Sequence, residues 1–233
     1  MLKLYKRLPK VSAISFDLDD TLYDNVPIIT KAENNLLNYL NKQHGEHLTL
    51  DETSWHQHKT VFVEQNKLLA HDVSLLRKRF LADLLTNSGV SNAPSKALQA
   101  YEYFHQHRNN FMVSQACIDV LLELKQKVPL IAITNGNAEP DLIGLSGIFD
   151  YVIRPQDGVL MKPEPAIFQK ACQLLGLNPK NIVHVGDSHV TDVQGAINSK
   201  MTAGWFNPLE LKFPGQVLPG FEYTDTKDLL NLI

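Results

Sequence analysis

The 233-residue sequence predicts an open, doubly wound parallel α/β sheet interrupted by an all-helical insertion. Three observations carry that prediction. Short apolar runs rich in β-branched residues recur along the chain. Helix-period segments lie between most of them. One interval, from Leu22 to Val113, breaks the alternation with helical patterns and no convincing strand.

The strand runs are VSAISFDL (11–18), PLIAIT (129–134), YVIRP (151–155), NIVHVGD (181–187) and TAGWF (202–206). Continuous rather than alternating apolar character means burial on both faces, as in a parallel sheet covered by helices. The helices between them are predicted over Gln115–Lys127, Pro165–Leu175 and Val190–Lys200. The Leu22–Val113 interval far exceeds an ordinary βα connection. Its helical patterns cover Pro27–Gln43, Thr53–Leu69, Val73–Thr86 and Pro94–Asn110, with Pro27 and Pro94 suited to first-turn positions. The stretch LLTNSGVSNAP (84–94) reads as a helix stop and a turn. The expected organisation is an α/β core over residues 1–24 and 111–233, with a helical subdomain over residues 25–110.

Composition narrows the function classes. With 44% hydrophobic residues the chain can bury one sizeable core and a smaller one. Lys+Arg total 22 against 25 Asp+Glu, so there is no electrostatic footprint for nucleic acid or an anionic membrane. The N-terminal MLKLYKRLPK has no long apolar region and does not read as a signal peptide, and no segment reaches the length of a membrane span. The two cysteines, Cys117 and Cys172, lack metal-type spacing and suit a reducing compartment. A cytoplasmic protein acting on a small molecule is expected.

In open α/β sheets ligands bind beyond the carboxyl ends of the strands. The first strand ends in Asp17 and Asp19, within ISFDLDDTLYDN. The second ends in Thr134, followed by Asn135 and Gly136. Lys162 and Pro163 follow the third. The fourth ends in Asp187, with Asp192 one turn later. Taken singly, each piece reads as an acidic turn, a loop or a helix cap. Their order at successive strand ends favours chemistry on a phosphate with a divalent cation. One of Asp17 and Asp19 can attack phosphorus while the other protonates the leaving alkoxide and then activates water. Several carboxylates without softer ligands suit Mg²⁺. Thr134 and the backbone N–H groups after it can hold phosphate oxygens, and Lys162 supplies a compact positive charge.

These motifs resemble those of the haloacid dehalogenase superfamily, in its Mg²⁺-dependent phosphatase branch. ISFDLDDT matches the Asp-x-Asp-x-Thr motif, IAITNG the strand ending in Thr or Ser, KPEPAIF the Lys motif and VGDSHVTD the paired-Asp motif. The resemblance implies a Rossmann-like core with a helical cap at residues 25–110. It implies Asp17 as nucleophile and metal ligand, and Asp19 as general acid/base, binding metal through its carbonyl. It also implies Thr134 as phosphate ligand, with Asn135 and Gly136 beside it, and Lys162 steadying nucleophile and phosphate. Asp187 would bind the metal. Asp192 would act through water on the metal or orient Lys162. The superfamily's hydrolytic dehalogenases lack the second Asp and need no Mg²⁺, so Asp19 points to phosphoryl chemistry. DLDDTLYDN and AITNGNAEP are similar to a bacterial subgroup that acts on FMN and on 5-amino-6-(5-phospho-D-ribitylamino)uracil. A broad sugar-phosphate or nucleotide phosphatase, a phosphomutase and an inactive phosphate-binding protein are the alternatives.

Most of the nine histidines fall in the insertion, without a carboxylate or Cys to complete a zinc cage. His184 reads as a packed core residue; His189 reads as lining the site or starting a solvated helix. Trp55, Tyr101, Tyr103 and Phe104 read as packing between inserted helices, with a flat substrate ring as the other use of one of them. Arg77, Lys78 and Arg79 read as a solvated face.

Overall fold

A computed structural model describes residues 2–156, 158–215 and 217–233. The strands are β1 (Lys3–Leu4), β2 (Ala13–Phe16), β3 (Leu130–Ile133), β4 (Tyr151–Ile153), β5 (Ile182–Gly186), β6 (Thr202–Phe206) and β7 (Phe221–Tyr223). They form one sheet in the order β1-β7-β6-β5-β2-β3-β4, parallel throughout except for the β1–β7 pair. The apolar runs thus mark five of the seven strands. The other two escape the pattern for a physical reason. β1 is two residues long with both side chains exposed, and β7 is the short FEY, with a glutamate at its centre.

Every residue of β2, β3 and β5 is buried, as continuous apolar runs require. The chain leaves β2 toward β3 and β4 on one side, then crosses back to β5, β6 and β7 on the other. The carboxyl ends of β2 and β5 therefore stand at the switch in direction, where doubly wound sheets open a crevice.

The chain divides into two compact units, Met1–Asp24 with Met112–Ile233, and Asn25–Phe111. The second unit is formed by α1 (Val26–His44), α2 (Glu52–Gln65), α3 (Val73–Asn87) and α4 (Ala93–Arg108). Pro27 and Pro94 occupy first turns. Asp51 caps α2 in a reciprocal box with Ser54, and Asp72 accepts the Ser74 and Leu75 N–H groups at the start of α3. The α2 pattern runs on to Leu69, but the helix stops at Gln65. Asn66 leaves helical angles and its amide bonds Phe62 O at 2.9 Å, after which Lys67–His71 form a 3₁₀ turn. Leu36, Leu40, Trp55, Phe80, Leu81 and Phe104 form the core of this unit. Arg77 is not on a solvated face: it pairs with Glu33 at 2.9 Å and lies 3.8 Å over the Phe104 ring. Lys78 covers the Tyr101 ring, while Arg79 is exposed.

The first unit adds α5 (Gln115–Lys125), α6 (Pro165–Leu175) and α7 (Gly195–Asn198). The helix expected over Val190–Lys200 is instead a π-helical turn, His189–Gln194, that runs into α7. Both cysteines are free thiols, and burial pushes the Cys117 thiol up to about 11, which keeps it inert. Among the described residues no helix is long and apolar enough to cross a membrane.

Trp55 is 1% exposed and meets Phe80 edge-on at 5.0 Å between ring centroids. Its buried Nε1–H has no hydrogen-bond partner among the described residues. Trp55→Ala is expected to cost about 3–5 kcal/mol of unfolding free energy. Trp55→Phe is expected to cost only about 1–2 kcal/mol, because it keeps a ring and removes the unpaired donor. Urea titrations followed by circular dichroism separate the two; equal losses would contradict the unpaired indole.

Candidate active site

Asp17 directly follows β2, and its N–H donates to Val185 O at 2.9 Å, carrying the β2–β5 ladder one residue further. A tight turn follows, in which the Thr21 and Leu22 N–H groups both donate to Leu18 O. Asp20 sits in this turn at φ 59°, a left-handed conformation that Asp tolerates. The turn brings Tyr23 back to Asp19, and the Tyr23 hydroxyl donates to Asp19 Oδ1 at 2.6 Å. The second Asp oxygen faces Gly136. A Cβ on Gly136 would collide with Asp19 Oδ2 and come within 3.3 Å of Thr134 Oγ1. Glycine is therefore what lets the loop after β3 approach the loop after β2.

Thr134 is buried at the end of β3, and its Oγ1 accepts the Gly136 N–H at 2.9 Å. The phosphate contact expected of Asn135 is through its backbone, and its side chain is committed elsewhere. Its side-chain amide grips the Lys162 peptide, donating to Lys162 O at 2.9 Å and accepting from Lys162 N at 2.8 Å. Only its backbone remains for an oxyanion. The side chain serves to place Lys162.

Lys162 is almost completely buried, with Nζ 2.7 Å from Asp17 Oδ1 and 2.6 Å from Asp192 Oδ1. Burial works against its ammonium, but the two carboxylates outweigh burial and hold its pKa above the ordinary lysine value. Burial pushes the Asp17 carboxyl up to about 8, with Asp192 and Asp19 adding repulsion against the pull of Lys162. Burial, with Asp192 and Asp20 nearby, pushes Asp187 up to about 6. Asp192 goes the other way: Lys162 and His184 overcome its burial and hold it down, at about 2.

Asp187 follows β5. Its N–H donates to Thr21 Oγ1 at 3.1 Å, its carbonyl accepts from Trp205 Nε1 at 2.8 Å, and its Oδ1 lies 3.3 Å from the Thr21 hydroxyl. The π-helical turn carries Asp192 back over the strand end. Ser188 N–H donates to Asp192 Oδ2 at 3.0 Å, and a Cβ on Gly186 would collide with the Asp192 side chain. The Asp192 oxygens are thus taken by protein donors, and of the two expected roles its geometry matches the orienting of Lys162.

Oxygens of Asp17, Asp187 and Asp192 lie within 4.8 Å of one another, the one such acidic or soft-ligand group among the described residues. All are hard donors, and burial, with neighbouring negative charge added to it, raises the pKa values of two of the three carboxyls. That donor set fits Mg²⁺ rather than a thiolate- or imidazole-binding metal. Thr21, Tyr23, Ser15 and Trp205 contact these groups although none was expected at the site. Thr21 carried a signal, as the third member of the Asp-x-Asp-x-Thr spacing; Trp205 carried none, because its bond to Asp187 depends on strand register. His189 opens the π-helical turn, but its side chain is packed and not solvated. Its ring packs edge-on against Phe213 at 4.7 Å and near Trp205, and its Nε2 lies 3.2 Å from Val217 O.

Residues 11–200 match the family of haloacid dehalogenase-like hydrolases. The chain is 34% identical, over the full length of both proteins, to the 5-amino-6-(5-phospho-D-ribitylamino)uracil phosphatase YigB of Escherichia coli (strain K12). It is 27% identical to the pyrimidine 5'-nucleotidase PynA of Streptococcus pneumoniae, covering 94% of this chain and 93% of that one. Among solved structures, a 2-haloacid dehalogenase from Pseudomonas syringae pv. Tomato DC3000 superposes with a TM-score of 0.89 at 28% identity, covering 95% of this chain and 97% of the other. Four strand ends that converge on one acidic crevice, and a family match that spans all of them, lead to one conclusion: this chain belongs to the haloacid dehalogenase-like hydrolase family.

Proposed function

We propose that this chain, a phosphatase of the haloacid dehalogenase-like family, hydrolyses small phosphate monoesters with Asp17 as nucleophile, Asp19 as general acid and base, and Mg²⁺ as cofactor. The observation that carries the reading is the buried Asp17 carboxylate held by Lys162 at 2.7 Å, with Asp19 poised between Tyr23 and Gly136. Lys162 occupies Asp17 Oδ1, so Oδ2 is the oxygen presented to phosphorus. Its attack forms an aspartyl-phosphate as the ester oxygen leaves. Asp19 gives that oxygen its proton, then takes one from the water that attacks the aspartyl-phosphate and releases inorganic phosphate. Thr134, Lys162 and the backbone after β3 hold the transferring oxygens. Asp17 and Asp187, with the Asp19 carbonyl, would hold Mg²⁺, whose charge offsets the repulsion between carboxylates and phosphate. The helical unit Asn25–Phe111 is read as the cap that selects substrate, and the tight turn at Leu18–Tyr23 as the route into it.

The relative named for 5-amino-6-(5-phospho-D-ribitylamino)uracil supports that phosphate and FMN as the first substrates to try. The pyrimidine nucleotidase relative supports a broader phosphatase as the second reading. A kinetic panel of these esters, sugar phosphates and nucleotides decides between them. Preference for the ribityl phosphates supports the narrow assignment, a flat profile supports the broad one, and an isomer in place of inorganic phosphate would mark a mutase.

Asp17→Asn is expected to abolish turnover, and Asp19→Asn to lower kcat about 10²–10⁴-fold. Unchanged turnover in well-folded Asp17→Asn would overturn the mechanism. Gly136→Ala is expected to lower kcat by displacing Asp19, with a far-ultraviolet spectrum like that of the wild type.

Metal binding should also register without turnover. The folded protein holds protons on Asp17, at about 8, and Asp187, at about 6, that the unfolded chain releases near the ordinary carboxylate value of 3.8. These groups therefore lose stability for the metal-free fold as pH rises through that window. Mg²⁺ competes with those protons, so its addition should raise Tm more at about pH 8 than at about pH 5. No shift at either pH would remove the metal site.

A further inference from the structure

Ser15 and His184 are polar, fully buried, and unused by the chemistry described above. They stand directly opposite each other in the parallel pairing of β2 with β5. Ser15 Oγ lies 2.8 Å from His184 Nδ1, and His184 Nε2 lies 3.1 Å from Asp192 Oδ1. That same oxygen accepts from Lys162 Nζ at 2.6 Å, and Lys162 reaches Asp17 Oδ1 at 2.7 Å. A continuous buried chain therefore runs from Ser15 through His184, Asp192 and Lys162 to Asp17.

We propose that Ser15 and His184 are positioning residues for the reaction. Ser15 fixes the tautomer of His184, and His184 holds Asp192 in the orientation that sets Lys162 against Asp17. The inference rests on the reading of Asp17 and Lys162 given under the proposed function.

The hydrogen positions follow from donor and acceptor capacity. An ionised Asp192 only accepts, so the ring nitrogen facing it must carry the hydrogen. Burial holds the imidazole below its ordinary pKa, outweighing the Asp192 hydrogen bond, so the ring is neutral with a single N–H. That N–H is on Nε2, and Nδ1 is left as a buried lone pair in need of a donor. The Ser15 hydroxyl is that donor. Its other acceptor in range, Val183 O, is longer at 3.4 Å. Phe168 meets the imidazole edge-on at 5.1 Å with planes 87° apart, which fixes the ring plane. Without the Ser15 hydroxyl, the buried Nδ1 lone pair would lose its donor. The hydrogen could move to Nδ1 and turn a lone pair toward Asp192, and Asp192 would be free to rotate away from Lys162.

The test compares wild type with Ser15→Ala, His184→Gln and His184→Leu. Hydrolysis of p-nitrophenyl phosphate gives kcat and KM. Long-range ¹H–¹⁵N NMR of protein labelled at histidine nitrogens gives the tautomer, with the His184→Gln variant identifying the His184 signal. The expected tautomer in wild type is Nε2–H, shifting toward Nδ1–H in Ser15→Ala. His184→Leu should lower kcat about 10–100-fold with KM little changed. His184→Gln, whose amide can still donate to Asp192, should recover a substantial part of that loss. An Nδ1–H tautomer in wild type would overturn the inference, as would Ser15→Ala and His184→Leu proteins with wild-type kcat. A wild type inert toward every phosphate ester would sink the functional reading instead, and the tautomer measured in that protein would still support or overturn the inference.

Discussion

A single buried ammonium organises this site. Asp17 and Asp192 are 8% and 1% exposed, and both contact Lys162 Nζ through one oxygen each. Two carboxylates that close in a low-dielectric interior cannot both ionise without a cation between them. Lys162 settles the contest unequally. Asp192, with a second donor in His184, is held ionised, while Asp17 remains pushed up to about 8. One positive charge is too little for the acidic groups gathered there. Burial and the residual crowding on Asp17 and Asp187 are the physical reason for proposing a divalent cation at this point.

The position of that ammonium is set by backbone, not by the flexible lysine stem. Asn135 holds the Lys162 peptide from both sides, so the loop after β3 fixes the loop after β4. The sheet does the rest. β2 lies between β3 and β5, which brings the segments carrying Asp17, Thr134 and Asp187 out side by side at the carboxyl ends of the strands. Gly136 and Gly186 each sit where a Cβ would strike an acidic side chain. The π-helical turn after Ser188 supplies the remaining adjustment, swinging Asp192 onto Lys162; such turns recur where a side chain must be re-aimed at a functional site.

The helical unit is stabilised by a different balance. Its core is aromatic and aliphatic, with Trp55, Phe80 and Phe104 at its centre. A partly buried ionic cluster places Arg77 and Lys59 on a single Glu33 oxygen. Burial would raise the Glu33 carboxyl, but the two cations hold it below the ordinary value. Arg77 also covers the Phe104 face, so its guanidinium is packed as well as paired.

The sequence alone determined the pieces whose signals are local. Continuous apolar runs marked the central strands, helical periodicity and first-turn prolines marked α1 and α4, and motif spacing marked Asp17, Asp19, Thr134, Lys162, Asp187 and Asp192. It missed β1 and β7, which are too short to carry a period, and the break at Asn66, which depends on one side-chain cap. Tertiary structure alone decided that Asn135 grips Lys162, that His189 packs on Phe213, and that Ser15 faces His184. Lys162 and Asp17 are 145 residues apart, and His184 meets Ser15 across 169. Partners so distant are joined by strand register and loop geometry, and a pattern confined to a few neighbouring residues holds no record of either.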